Sequence, residues 1–174
     1  FGGSEANVAV SLARLGERAV YVTALPDNAL GMAGKSSLMG HGVDVKPLFR
    51  EGRLGIYFLE GGACQRPSNV IYDREGSSLS LASPDEYDWK EIFCDADWFH
   101  LSGVTPAISE NAYLCAFRAI KEAKKAGCTV SLDLNYRKKL WRWGKPAHEI
   151  MRLLSKKADI LIANEEDIQN CLGI

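Results

Sequence analysis

Side chains that can bind a polar ligand follow three predicted strands of this sequence, each at the point where the strand ends. They are Ser102, Gly103 and Thr105 at the end of WFHLS, residues 133–137 (DLNYR) at the end of TVSLDL, and residues 164–167 (NEED) after DILIA. The carboxyl ends of parallel strands meet at one edge of an open sheet, where such sheets bind ligands. Each of these residues, taken alone, could have a purely structural role in its own loop. Asn164, for example, could cap the helix that begins at Glu165. Together on one edge they favour a polar ligand site.

The elements that must position these side chains alternate regularly in the second half of the chain. Strands are predicted over 98–102, 129–134 and 159–163, and helices over 109–125, 147–157 and 165–172, with Ser109 as an N-cap. Before them come a helix over 4–15, a strand over 19–24 and a helix over 30–40. Alternation at these lengths indicates right-handed crossovers and a parallel sheet, so the predicted fold class is α/β.

Residues 43–81 have a different sequence pattern. Short apolar runs of period two (VDVKPLF, GIYFLE and NVIYDR) alternate with glycine-containing turns. This pattern predicts a small antiparallel sheet, a lid, inserted into an α/β core formed by 1–42 and 82–174. The lid is rich in Arg and Tyr: Arg53, Tyr57, Arg66, Tyr72 and Arg74. Arginine presents a planar fork that suits carboxylate or phosphate. An ordinary exposed strand face would carry the same residue types, so both interpretations stay open.

A glycine turn, Gly2-Gly3, leads directly into the first predicted helix. Small residues allow a ligand to approach the backbone closely, and the free N–H groups of a helix start favour polar or anionic atoms. The segment lacks the third glycine of GxGxxG and the GK[ST] ending of a P-loop, which argues against a dinucleotide-binding dehydrogenase. A plain turn with Ser4 or Glu5 as the N-cap is the alternative.

Composition excludes several functional classes. Lys plus Arg number 21 and Asp plus Glu 22, so the net charge is −1 and the basic footprint of a nucleic-acid or anionic-membrane partner is absent. No apolar run approaches the ~20 residues that cross a bilayer. The five cysteines form no CxxC pair, which predicts a reducing, cytoplasmic setting.

The opening GGSEANVAVSLARLG (2–16) resembles the N-terminal signature of the ribokinase-like (PfkB) carbohydrate kinases. Within that family the chain is most similar to the kinases of 2-keto-3-deoxygluconate. The segments that carry this resemblance are YVTALPDNALG (21–31), GIYFLE (55–60), QRPSNVIYDR (65–74), DLNYRKKLW (133–141) and ANEED (163–167). The resemblance implies a three-layer α/β/α core with a β lid. It also implies ATP-dependent phosphorylation of the keto-deoxy sugar acid to its 6-phosphate, with Mg²⁺ as a cofactor.

The resemblance also implies residue roles. The sugar side would comprise Gly3, Ser4, Glu5, Ala6 and Asn7, then Tyr57, Tyr72, Asp73 and Arg74 of the lid, and Arg137, which would pair with the carboxylate. The nucleotide side would comprise Asn135, Tyr136, Arg137 and Asn164. Asp167 stands where the family's NxxE motif has glutamate, so its metal role would be indirect, through water, or taken over by Glu166.

Two features of the family are absent from these residues: the first strand, and the GAGD motif whose aspartate would be the catalytic base. We therefore expect a fragment, incomplete at both ends, that is inactive alone and supplies the sugar-binding and lid half of a kinase. A kinase for a neutral sugar such as fructose or ribose, and a non-catalytic sugar-acid-binding fragment, are the alternatives. Lids of this family commonly pair between subunits, which predicts a homodimer formed through the lid.

Overall fold

Helices and strands alternate along most of the chain, and a computed structural model describes all 174 residues. The helices are α1 (Ser4–Arg14), α2 (Ala29–Met39), α3 (Ser78–Leu81), α4 (Trp89–Ile92), α5 (Val104–Ile108), α6 (Glu110–Lys125), α7 (Ala147–Ser155) and α8 (Glu165–Leu172), with a 3₁₀ turn at Pro84–Glu86. The strands are β1 (Val20–Pro26), β2 (Asp44–Arg50), β3 (Ile56–Glu60), β4 (Asn69–Asp73), β5 (Trp98–Ser102), β6 (Thr129–Asp133) and β7 (Ile160–Ile162). No helix has both the length and the apolar character that spanning a membrane requires.

The strands of the core are parallel and occupy two sheets. Strand β1 pairs with β2, with Val20 opposite Asp44, and the second sheet has the order β5-β6-β7. The α/β class and the parallel strands flanked by helices are therefore confirmed.

One expectation about the lid is wrong. Residues 43–49 were expected in the antiparallel sheet, but they form most of β2 and pair in parallel with β1. A run of period two specifies which side chains share a face, and it does not identify the neighbouring strand. The antiparallel part of the lid is the pair β3–β4, in which Tyr57 lies opposite Tyr72, and residues 78–81 form a helix. The division of the whole chain into core and lid stays a prediction.

The main core lies between the β5-β6-β7 sheet and helices α6 and α7. Helix α6 buries Ala116, Ile120 and Ala123, as its helical spacing predicted, and Ser109 Oγ accepts a hydrogen bond from Ala112 N at 3.0 Å. Ile120 is completely buried, so this helix is held to the sheet by close packing as well as by its cap.

An ion pair joins α6 to the β7 side of the same sheet. Lys124 Nζ donates to both carboxylate oxygens of Asp159 at 2.6 and 2.8 Å, and Val130 N donates to Asp159 Oδ2 at 2.8 Å. Lys124 first, and then this N–H, hold the pKa of Asp159 below its ordinary value.

Strand β7 is short and poorly covered. It lies at the edge of its sheet, and its residues Ile160, Leu161 and Ile162 are 40%, 44% and 50% exposed.

Replacing Ile120 by Ala should lower the free energy of unfolding by about 2–5 kcal/mol, because the substitution leaves a cavity in a fully packed site. Urea denaturation of the full-length protein measures the loss. Leu114→Ala on the same helix is the control, since Leu114 is 42% exposed, and it should cost less than about 1 kcal/mol. Equal losses in the two variants would contradict this account of the core.

Asp159→Asn should remove a pH-dependent contribution to stability. The folded-state pKa of Asp159 is lowered, so its contribution is present above the unfolded pKa of about 3.9 and is lost as the pH falls through the folded value. Urea midpoints should therefore differ between wild type and variant at pH 7, and the difference should shrink as the pH falls below about 3.9. Asp27→Asn is the control, because Asp27 is exposed and forms no hydrogen bond or ion pair. A difference of the same size at pH 7 and pH 3 would contradict the assignment.

Candidate functional site: a cavity between the glycine turn and the lid

The glycine turn brings the start of α1 beneath the lid. Gly3, in extended conformation, is the N-cap, and Ser4 and Glu5 lie inside the first turn of the helix, so neither is the cap. The turn is closed by Asn7 N, which donates to the Gly3 carbonyl at 2.8 Å. A Cβ on Gly2 would lie 3.0 Å from the Tyr57 hydroxyl. Glycine at position 2 therefore allows the Tyr57 hydroxyl of the lid to pack directly against the backbone.

A cavity of about 540 Å³ opens between this turn, β1 and the lid. Six of the predicted sugar-side residues line it: Gly3, Ser4, Glu5, Ala6, Tyr57 and Arg74. Asn7, Tyr72, Asp73 and Arg137 do not. The volume is within the ~300–1,000 Å³ of typical small-molecule sites.

Arg74 is the positively charged residue of the cavity wall. Its Nε is buried and has no hydrogen-bond partner, and the guanidinium forms no ion pair. The guanidinium carbon lies 5.8 Å from the centre of the Tyr72 ring, which favours the cation without satisfying its N–H groups. Because buried donors are normally paired, this arginine is suited to receive an anionic group from a ligand.

The other arginines of the lid are already paired. Arg53 forms an ion pair with the Asp73 carboxylate and donates to the Glu75 carbonyl at 2.9 Å. Arg66 pairs with Glu60 on the exposed end of the lid. Asp73 therefore serves the lid's own structure here, although a sugar role was predicted for it.

The lid is attached to the loop that follows β6. Lys139 Nζ donates to Asn69 Oδ1 at 2.7 Å and to the Val70 carbonyl at 3.0 Å. Tyr72 packs beside this loop, against Val104, Ala107 and Leu140. The lid strand β4 thus rests on the segment that carries the predicted nucleotide-side residues.

That segment has an unusual backbone at Asn135, whose φ is +38°. Asparagine tolerates this left-handed region better than most residues. Its side-chain Nδ2 donates to Ser102 Oγ at 3.1 Å, and Ser102 is completely buried. The contact fixes the loop after β6 against the end of β5.

Tyr136 and Arg137 continue the same loop. Tyr136 lines a second hollow of about 460 Å³ with Lys138, Lys145 and His148. Arg137 is exposed, and its Nη1 donates to the Tyr136 carbonyl at 2.9 Å.

Asn164 and Asp167 form the start of α8. Asn164 Oδ1 accepts from Asp167 N at 2.8 Å and is therefore an N-cap, and Asp167 Oδ1 accepts from Tyr136 N at 2.9 Å. Asp167 is only 7% exposed, and the structure contains no group of three or more His, Cys, Asp or Glu side chains able to hold a metal ion. One oxygen of the Asp167 carboxylate is thus held by the backbone, and no cluster of protein ligands surrounds it.

Asp133, at the end of β6, is the carboxylate with the most perturbed surroundings at this edge. Burial raises its pKa above the ordinary value, an effect that His100 and Arg137 oppose and the nearby charge of Asp167 increases. Two carboxylates thus lie close to the strand ends that were predicted to bind a ligand.

Several polar residues of the cavity were not identified from the sequence: Tyr21, Thr23 and Ser77. Tyr21 and Thr23 lie two residues apart on one face of β1, and that period-two pattern is the signal that could have found them. Burial, together with the nearby negative charge of Glu5, raises the pKa of Tyr21 to about 12. Its hydroxyl therefore stays protonated at neutral pH and is able to donate to a ligand.

Comparison with known proteins agrees with this architecture. A 2-dehydro-3-deoxygalactonokinase of Haloferax volcanii is 41% identical over 99% of this chain, which covers 54% of that protein. A 2-dehydro-3-deoxygluconokinase of Thermoproteus tenax is 31% identical over 99% of the chain and 53% of its own length. The crystal structure of 2-dehydro-3-deoxygluconokinase from Thermotoga maritima superposes with a TM-score of 0.93 and 47% identity, over 99% of this chain and 53% of that one.

The chain thus spans about half the length of these relatives. The model of the pfkB family of carbohydrate kinases matches residues 1–174, all of the sequence. Family match, relatives and fold agree, and the chain belongs to the pfkB family of carbohydrate kinases.

Proposed function

We propose that the full-length protein containing this chain transfers the γ-phosphoryl group of ATP to the terminal hydroxyl of 2-keto-3-deoxygluconate, forming the 6-phosphate. The observation that carries the proposal is Arg74, an arginine with a buried, unpartnered Nε on the wall of a cavity suited to a small molecule. A sugar acid would supply the carboxylate that this arginine lacks, whereas a neutral sugar would leave it unpaired.

The rest of the cavity wall suits a polyhydroxylated ligand. Tyr21, Tyr57 and Thr23 present hydroxyls, and the lining also includes apolar side chains such as Leu25 and Leu54. The backbone of the glycine turn at Gly3 can be approached closely because it carries no side chain. Among the residues predicted from the resemblance, Asn7, Tyr72 and Asp73 would act from behind this wall.

The phosphoryl donor would lie beyond the sugar, along the loop after β6 and the start of α8. We assign Asn135, Tyr136, Arg137 and Asn164 to this side, with Arg137 also able to reach the substrate carboxylate once its side chain turns from the Tyr136 carbonyl. Positive charges at Lys138 and Lys145 beside Tyr136 suit phosphate groups. Mg²⁺ is proposed only as the companion of the ATP phosphates.

The GAGD segment that would supply the base does not occur in these 174 residues, so the proposal concerns a protein that contains both. Phosphoryl transfer depends on positioning of the reactants and on stabilisation of the transferred charge. Residues 1–174 would provide the sugar-binding side and the lid for this reaction. We also propose a cytoplasmic location, which the five cysteines, all free thiols, support.

A second acidic substrate, 2-keto-3-deoxygalactonate, is suggested by the Haloferax volcanii relative. The two acids are epimers and carry the same carboxylate, so Arg74 would serve both. A panel of the two acids with fructose and ribose distinguishes the candidates by kcat/KM, and a preference for the neutral sugars would overturn the sugar-acid proposal.

Arg74→Ala and Arg137→Ala in the full-length protein should each raise KM for the sugar acid tenfold or more, a loss of about 1.4 kcal/mol or above. Arg74→Lys should recover only part of the loss, since lysine offers a point charge without the planar fork. Steady-state kinetics at saturating ATP measures KM for the sugar acid in each of these variants. Arg66→Ala is the control, because that arginine is paired with Glu60 away from the cavity, and it should leave KM unchanged.

We propose that two copies of the protein pair through the outer faces of their lids. Phe58 and Ile71 lie opposite each other on β3 and β4 and are 56% and 54% exposed, on the face turned away from Tyr57 and the cavity. A two-stranded sheet with an apolar outer face is marginal unless something covers it.

Phe58→Glu combined with Ile71→Glu should therefore convert a dimer into a monomer at micromolar concentration. Light scattering of the full-length protein measures the mass. Leu153→Glu, an exposed leucine on α7, is the control and should leave the dimer intact. A wild-type protein that is monomeric at this concentration contradicts the lid-mediated dimer.

A further inference from the structure

Glu5 accepts three hydrogen bonds, two of which join the start of α1 to the end of β5 and the start of α5. Its Oε1 accepts from Thr105 Oγ1 at 2.5 Å and from Ser102 N at 3.3 Å, and its Oε2 accepts from Ser4 Oγ at 2.6 Å. Thr105 is 100 residues away in the sequence. The half-buried carboxylate therefore connects two segments that nothing in the local sequence brings together.

Three donors of the protein, Ser4 Oγ, Ser102 N and Thr105 Oγ1, bind this carboxylate. Both oxygens are occupied, and the position in the first turn of α1 adds the favourable field of the helix N-terminus. A carboxylate held in this way is poorly placed to remove a proton from a substrate hydroxyl, since about three of its four acceptor sites already take hydrogens from the protein. The contacts of Glu5 with Thr105 and Ser102 form a structural link at the edge of the cavity, the Glu5 tie.

The tie continues across the strand ends to the nucleotide side. Ser102 donates through its N–H to Glu5 and accepts through its Oγ from Asn135 Nδ2 at 3.1 Å. Ser102 Oγ also accepts from Val104 N at 3.3 Å, at the start of α5. Glu5, Ser102 and Asn135 thus form one connected path from the glycine turn to the loop after β6.

We propose that Glu5 is a positioning residue, which sets the separation between the glycine turn that receives the sugar and the loop that receives the phosphates. The proposal rests on the kinase function proposed above and deepens it. In-line transfer requires the acceptor hydroxyl and the phosphoryl group to be aligned, and a misplacement of about 1 Å can cost about 10²-fold in rate. Loss of the tie should therefore act on kcat more than on either KM.

The decisive comparison is between Glu5→Gln and Glu5→Ala in the full-length protein. The amide oxygen of Gln can accept from both Thr105 Oγ1 and Ser102 N, and its NH₂ can donate to Ser4 Oγ, so positioning survives without the charge. We expect Glu5→Gln to keep kcat within about threefold of wild type. Glu5→Ala should lower kcat tenfold or more while KM for the sugar acid and for ATP changes less than about threefold.

Thr105 offers the same comparison from the other side of the contact. Thr105→Val removes the hydroxyl at nearly constant shape and should reproduce part of the loss, whereas Thr105→Ser keeps the donor and should retain the rate. Glu17→Ala is the control, because Glu17 follows α1 and its exposed carboxylate forms no hydrogen bond or ion pair. A Glu5→Gln variant as slow as Glu5→Ala would overturn the proposal in favour of a role for the charge itself, and wild-type rates in both would overturn it altogether.

A substrate-free measurement separates this proposal from the assignment of the substrate. Hydrogen exchange at the Ser102 amide should be at least tenfold faster in Glu5→Ala than in wild type and unchanged in Glu5→Gln. Wild-type protein that phosphorylates none of the sugar acids would defeat the proposed function, yet this exchange difference would still establish the tie. Unchanged exchange in Glu5→Ala would overturn the tie whatever the substrate, and Glu5→Met, with a side chain of similar length and no carboxylate, provides the same readout if Glu5→Ala does not fold.

Discussion

The buried hydroxyl of Ser102 is the constraint on which the geometry of the site depends. It sits at the carboxyl end of β5 and accepts one hydrogen bond from the start of α5 and another from Asn135. Leaving a buried polar partner unsatisfied costs about 1–3 kcal/mol, so the strand end and the loop after β6 are held in one arrangement. Gly103, next in the chain, has no room for a side chain, because a Cβ would lie 2.1 Å from the Leu134 carbonyl oxygen. Hydrogen bonds at Ser102 and close packing at Gly103 therefore hold the end of β5 and the loop after β6 in the same arrangement.

Much of the fold could be predicted because its helices and strands have strong periodic patterns. Helix α6 was predicted with its cap and its buried face, and the alternation after residue 98 identified the parallel sheet. Strand β2 was assigned to the wrong sheet, because alternation determines faces and leaves the partner strand open. Pro47 within it is consistent with an edge position, since proline has no N–H to donate to a neighbouring strand.

The candidate site was predicted less completely, for a different physical reason. Arg53, Arg66 and Arg74 are the same residue type in one short segment, and the sequence gives no sign of which ones find a carboxylate nearby. In the fold, the first two pair with Asp73 and Glu60, and Arg74 alone faces the cavity without a partner. Asp167 illustrates the same limit, since its hydrogen bond to Tyr136 N joins residues 31 apart in sequence. Such pairings depend on tertiary contacts, which local patterns do not encode.

The exposure of β7 has a practical consequence for handling this chain by itself. Three consecutive apolar residues lie on an edge strand whose outer backbone groups have no neighbour in the sheet. An edge of this kind is a template for adding strands from other molecules, and here it has neither a charged residue nor a proline to discourage that. Isolated copies of the chain would therefore be prone to aggregate through Ile160–Ile162, and a charge introduced at Leu161 is the simplest remedy for solubility.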